Sequence, residues 1–238
     1  MLLTISKASK KYGQTLALHP IDLQVQGEIL GVIGNNGAGK STLMKMIVGL
    51  LYSEKGKILV GGEDVRRSPE TVKQRIGYLP ESPLIYPKLT PEEFLSFVAE
   101  IRKIQGASEE IDFWLDTFGL QEKRNALLND LSFGMKKKIA ISAALLGHPP
   151  LLILDEPFNG LDVATMETLS DILLKRHAEG TTILISSHLM TYIDRLCHRV
   201  VILKKGKVVS EGSPAALKKT ADRNTFHDTF LYFMGKES

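Results

Sequence analysis

What the sequence has little of narrows it first. It holds one cysteine, Cys197, so it can form no internal disulfide and offers no second thiol for a zinc site. That usage fits a reducing cytoplasm. No window reaches the ~18 uninterrupted apolar residues of a membrane span, because the longest candidate, IAISAALLGHPPLLIL, is cut by His148-Pro149-Pro150. The opening MLLTISKASKKYG lacks the apolar core of a secretory signal. Work at a membrane would therefore have to go through a partner. Excess charge of one sign is missing too: the net charge is +3, and the lysines are spread over Lys136 to Lys138, Lys204 to Lys207 and Lys218 to Lys219. Without a long basic block, no nucleic-acid partner is expected. There is no internal repeat.

What is present is the composition of a soluble globular protein, 43% apolar and 24% charged over 238 residues. Such a chain is long enough for one substantial core, or a core with an inserted subdomain. Short, largely apolar runs recur at Ile29 to Ile33, Arg75 to Leu79, Leu151 to Leu154, Thr182 to Ser186 and Arg199 to Leu203. Runs of this length read as strands buried on both faces, and the helical patterns between several of them predict a mostly parallel sheet. The first 28 residues and KILVGGEDV alternate polar and apolar residues instead, which predicts a small antiparallel sheet laid against that core. From 83 to 147 the strand signals stop and PEEFLSFVAEIRKI, EEIDFWLDTFGL and the segment opening at LSFGM carry helical spacing. The expected organisation is a single α/β unit: a core from 1–82 and 148–212, a helical insertion at 83–147, and a helical tail at 213–238.

Three sites carry chemistry. Gly34-Asn35-Asn36-Gly37-Ala38-Gly39-Lys40-Ser41 matches G-x-x-x-x-G-K-[ST] between a strand and a helix. Glycines there let backbone N–H groups converge on phosphate oxygens at a helix N-terminus; Lys40 would neutralise the β- and γ-phosphates, and the Ser41 hydroxyl would ligate Mg²⁺. A glycine-rich turn with an incidental lysine is the plain alternative. In LLILDEP a wholly apolar strand ends in Asp155 and Glu156, where α/β proteins place ligands. Beside a phosphate loop, Asp155 would hold Mg²⁺ through water and Glu156 would polarise the attacking water; an exposed acidic strand end is the alternative. His188 closes TTILISSH at the same presumed sheet edge and is a candidate γ-phosphate contact. The other five histidines read as surface or packing residues.

In order and spacing these features resemble the nucleotide-binding subunit of ATP-binding cassette (ABC) transporters, from about residue 2 to about residue 212. GNNGAGKST, through Thr42, looks like the family's Walker A, LLILDEP its Walker B, LSFGM its signature, NGLD its D-loop and ISSH its H-loop. The resemblance implies a P-loop NTPase (RecA-like) core, ATP with Mg²⁺, and two copies, or this chain and a homologue, that close head to tail over two nucleotides. It also implies a transmembrane permease subunit that would hold the chain on the inner face of the cell membrane and contact SPLIYPKLTPEEF. Ser132 and Gly134 would meet the γ-phosphate held by the opposite subunit; simple capping by Ser132, worth about 1 kcal/mol, is the alternative. Tyr12 would stack on adenine, or else pack. Two departures stand out. Glu81 occupies the position after RIGYLP where the family usually has glutamine, and it is expected still to sense Mg²⁺. LSFGM replaces the usual LSGGQ, and with YLPE is similar to the ATPases of bacterial ABC-2-type exporters. A soluble ABC ATPase acting on ribosomes, nucleic acid or a protein assembly is the competing reading.

Overall fold

The computed structural model describes residues 1–235; the last three residues of the expected tail, 236–238, lie outside the described residues. The alternating segments form β1 (Leu2–Tyr12), β2 (Thr15–Gln26), β4 (Lys55–Val60) and β5 (Glu63–Asp64), an antiparallel sheet in the order β2-β1-β4-β5. The apolar runs form β3 (Ile29–Ile33), β6 (Ile76–Leu79), β7 (Leu151–Asp155), β8 (Thr182–Ser186) and β9 (Arg199–Lys204), all parallel, with β10 (Lys207–Gly212) added antiparallel at one edge. The resulting order is β10-β9-β3-β8-β7-β6. Every parallel strand therefore delivers its carboxyl end to one edge, where the phosphate loop, Glu81, the Asp155–Glu156 pair and His188 follow.

The unbroken apolarity of these strands has a direct cause. On β7, Leu151 and Ile153 face a core shared with the antiparallel sheet and α1 (Lys40–Ile47). Leu152 and Leu154 face a second core, shared with helices α3 (Pro91–Ile101), α4 (Ala107–Thr117), α5 (Phe133–Leu145) and α6 (Val163–Ala178). Apolar side chains are needed on both sides of such a strand, so alternation disappears. A short α2 (Pro69–Gln74) precedes β6, and α7 (Met190–Leu196) follows β8. Beyond β10, α8 (Pro214–Ala221) and α9 (Phe226–Phe233) return over the second core through Leu217, Phe226 and Phe230.

The helical segment is locally well specified. Thr90 caps α3 by accepting from the Glu93 N–H at 3.2 Å, while its own N–H donates to the Glu93 carboxylate at 2.8 Å, a capping box followed by Pro91 at the first helical position. Helix α5 is buried along most of its length and lies against β6. Gly77 makes that approach possible, since a Cβ there would stand 2.0 Å from the Ala144 carbonyl oxygen. With Ala144 over Gly77 and the first turns of α5 near Glu81, the helix runs back along β6 to the functional edge of the sheet.

Candidate active site

The loop between β3 and α1 is shaped by its glycines. Gly39 has φ +105° and no room for a side chain, the Ala17 carbonyl oxygen lying 2.9 Å from where a Cβ would be. Helix α1 starts at this residue without any side-chain cap. Among the described residues, the N–H groups of Gly37, Gly39, Lys40 and Ser41 have no hydrogen-bond acceptor, so the helix start presents unpaired donors and its positive dipole end. Lys40 arches back over the loop, its Nζ donating to the Gly34 carbonyl at 2.8 Å and approaching that of Asn35 at 3.5 Å. A pocket of about 360 Å³ opens here, lined by Asn36 to Thr42, Glu81, Asp155, Glu156 and Ala17. A larger depression of about 560 Å³, lined by Tyr52, Asp64 and Arg66 among others, lies away from the strand ends.

Opposite the loop, Ser186 organises the acidic pair. Its hydroxyl donates to Asp155 Oδ1 at 2.6 Å and accepts from the Glu156 N–H at 3.0 Å, which also reaches the Ser186 carbonyl at 3.2 Å. Both carboxylates are buried, and Glu156 is held at φ +49°, a left-handed conformation that costs of order 1 kcal/mol and persists only where neighbours over-determine it. The Glu156 carboxylate accepts from the His188 N–H at 3.2 Å and lies 2.9 Å from His188 Nδ1. His188 is thus bonded to Glu156 and is not among the residues lining the pocket. Tyr78, on β6, has its hydroxyl pushed up to about 12 by burial first and by the Asp155 charge second.

The remaining expected residues fall in three places. Glu81 sits on the pocket wall. Tyr12 ends β1 with its ring about half exposed and Lys10 Nζ 5.6 Å from its centre. Ser132 and Gly134 stand at the start of α5 and do not line the pocket. Ser132 caps the helix, its Oγ accepting from the Met135 N–H at 3.3 Å. Sequence reasoning missed Ser186, Ala17 and Lys137. Lys137 is fully buried, with Nζ donating to the Glu81 carbonyl at 3.0 Å. Only the run of three lysines could have pointed to it, and a lysine run ordinarily signals a solvated face.

The donor set fits a nucleotide with a hard divalent cation. Ser41, Glu81 and Asp155 bring oxygen ligands to one pocket, and no cluster of three or more His, Cys, Asp or Glu that could cage a metal occurs among the described residues. Proteins commonly hold Mg²⁺ with one or two carboxylates together with waters and phosphates. The family model described as ABC transporter matches residues 18–159, which contain the phosphate loop, the signature and the acidic pair. The chain belongs to the ABC transporter family. Among its relatives, the bacitracin transport ATP-binding protein BcrA of Enterococcus faecalis is 35% identical, covering 92% of this chain and 72% of that one. The Nod factor export ATP-binding protein I of Burkholderia orbicola (strain AU 1054) is also 35% identical, over 87% and 69%. A solved structure of the ATP-binding subunit of an ABC transporter superposes with a TM-score of 0.93 at 32% identity, covering 98% of this chain and all of that one. As an ABC ATPase subunit the chain binds ATP and hydrolyses it to drive transport.

Proposed function

We propose that the chain powers an exporter as one of a pair of ATPase subunits docked on a transmembrane permease at the inner face of the cell membrane. The observation that supports this most directly is the separation within one chain: the phosphate loop and the acidic pair share a pocket, while Ser132 and Gly134 lie outside it. A single copy offers half of two sites. A second copy, or a homologue, placed head to tail would bring its signature helix to the open side of the pocket. No helix among the described residues is long and apolar enough to cross a membrane, so the permease is a separate chain or segment. The exposed Leu84, Tyr86 and Phe97, with Tyr86 edge-on to Phe97 at 5.5 Å, are its proposed contact. The export direction is supported by the likeness to the Nod factor export protein.

In this reading the amides of Gly37 to Ser41 and the Lys40 ammonium cradle the phosphates, with Gly34, Asn35, Asn36, Ala38 and Thr42 shaping the loop. Tyr12 stacks on adenine. Ser41, Glu81 and, through water, Asp155 would hold Mg²⁺, which would supply neutralisation of phosphate charge. Glu156 accepts the proton of the attacking water, and His188, bonded to that carboxylate, orients it and is the candidate γ-phosphate contact. Swinging an open–closed equilibrium from 1:99 to 99:1 takes about 5.5 kcal/mol of differential binding. Contacts made by both subunits to each nucleotide supply such a term because they exist only in the closed pair.

The test is to tag Glu156→Gln, extract membranes gently with ATP and Mg²⁺, and identify what copurifies. A polytopic membrane protein in stoichiometric amount, with ATP retained and turnover nearly abolished, is the expected result. Recovery with ribosomes, nucleic acid or a soluble assembly would replace the transporter reading and leave the ATPase standing.

A further inference from the structure

The three lysines after the signature, Lys136 to Lys138, have no part in the chemistry above. Successive helical positions turn by about 100°, so adjacent side chains leave α5 in three directions. Lys136 Nζ donates to the Asn129 carbonyl at 3.0 Å and fastens the helix start to the turn before it. Lys138 Nζ lies 3.5 Å from Asp162 Oδ2, in the loop that follows Glu156. The ring of Phe133 rests on Gly160 of that same loop, where an added Cβ would meet it at 2.5 Å. Lys137 alone turns inward.

A fully buried ammonium is costly without strong partners. Among the described residues Lys137 has one hydrogen bond, to the Glu81 carbonyl. Burial lowers its pKa, and the charges of Asp155, Glu156 and Glu81 act against that loss. An apolar side chain of similar length would fill the same space without this cost. What the lysine adds is a fixed link between the turn that carries Glu81 to the pocket wall and the helix whose first residues are Ser132 to Gly134. The acceptor is a backbone oxygen, so the link does not depend on which side chain occupies position 81.

We propose that Lys137 is a positioning residue that locks the Glu81 turn to the signature helix, so that the pocket wall and the exposed end of α5 move as one body. Through Lys138 and Phe133 the same helix also grips the loop behind Glu156. Lys137 and Lys138 thereby make the helix a junction between the chain's own nucleotide pocket and the surface it offers to the second subunit. This inference rests on the proposed role of Glu81 and of the Ser132 end.

The experiment compares the full chain with Lys137→Met, Lys137→Arg and, as a control on another face of the helix, Lys136→Met. Steady-state ATP hydrolysis and deuterium uptake of the nucleotide-free chain are both measured. For Lys137→Met we expect kcat lower by about tenfold with KM for ATP within about threefold, and uptake over 80–88 faster by about tenfold. Lys137→Arg, which keeps a donor, should return both within about threefold of the parent, and Lys136→Met, which loses only the contact to Asn129, should leave uptake over 80–88 unchanged. Parent-like uptake over 80–88 in Lys137→Met overturns the proposal, as does faster uptake with parent turnover. Should the methionine chain fail to fold, Lys137→Gln, shorter and uncharged, is expected to show the same faster uptake and is read by the same criteria. Glu156→Gln is assayed in parallel: parent turnover in that chain would defeat the assignment of the pocket, while the uptake comparison still decides the link.

Discussion

Two helix starts in this molecule meet the same electrostatic demand in opposite ways. Helix α1 begins at Gly39 in a left-handed conformation with no side-chain cap and with loop amides left unpaired. Helix α5 begins at Ser132, whose own hydroxyl takes the Met135 N–H. A helix end without a cap needs partners from elsewhere, so the first start is completed by what binds there. The second has its own cap for one of these donors, although the Phe133 and Gly134 N–H groups find no acceptor among the described residues, and under the proposed function whatever Ser132 does for a nucleotide on the opposite subunit is added to a helix already capped. Under the proposed function, the first end serves capture within each chain and the second a contact made and broken as the pair closes and opens.

The largest effect that would sharpen this contrast is at Lys40. Lys40→Ala should weaken ATP binding about a hundredfold by calorimetry, a charge-assisted contact contributing about 1.5–3 kcal/mol. The unfolding midpoint without nucleotide should hardly change. Gly39→Ala should strike both: the left-handed φ and the close Ala17 carbonyl predict a loss of about 1–3 kcal/mol in urea unfolding, together with weaker ATP binding. At the other helix, Ser132→Ala should cost about 1 kcal/mol without nucleotide. Ser132→Asp should restore the cap yet bring a carboxylate toward the opposite phosphate, so stability recovers while ATP-dependent pairing, read by light scattering, does not. If Ser132→Asp pairs normally, the two starts are not functionally different.

The smallest effect concerns a third start, that of α6. Asp162 caps it, and its carboxyl is held down to about 2, first by the Thr165 N–H and then by the Thr165 hydroxyl, with Lys138 adding attraction. In the unfolded chain an aspartate titrates near 3.9. The stabilisation is therefore present above about pH 4 and fades as pH falls toward about 2. Asp162→Asn should be less stable than the parent at neutral pH and draw level with it on acidification, as read from urea midpoints. A gap that stays constant with pH would assign the cap's value to shape rather than charge.

These effects differ in how far the sequence announces them. Gly39 and Lys40 belong to a contiguous stretch whose chemistry is local, and so does Thr90, whose capping box is written in T-P-E-E. The boundaries of the five parallel strands were legible to within a residue, Ile29–Ile33 and Thr182–Ser186 without any shift, because largely apolar runs of that length have few other uses; the antiparallel edge strand Lys207–Gly212 was not read. Ser186 was not legible as the residue that joins Asp155 to the Glu156 backbone. Its role exists only because β7 and β8 are neighbours with Asp155 opposite Ser186. His188 could be placed at the right edge from its strand, yet its bond to Glu156 depends on how two loops meet.

The sequence by itself determined the phosphate loop, the acidic strand end and the class of fold, since each rests on contacts within a few residues or on a repeating burial pattern, and its five motifs in order carried the resemblance to the family. Only the tertiary structure decided that Glu156 is bonded to His188 and to Ser186 through its backbone, and that one lysine of three is buried under Glu81. Those outcomes depend on which segments, 30 to 60 residues apart, arrive together at one sheet edge. Strand order and the close packing of α5 on Gly77 fix that arrival, and no local pattern encodes it.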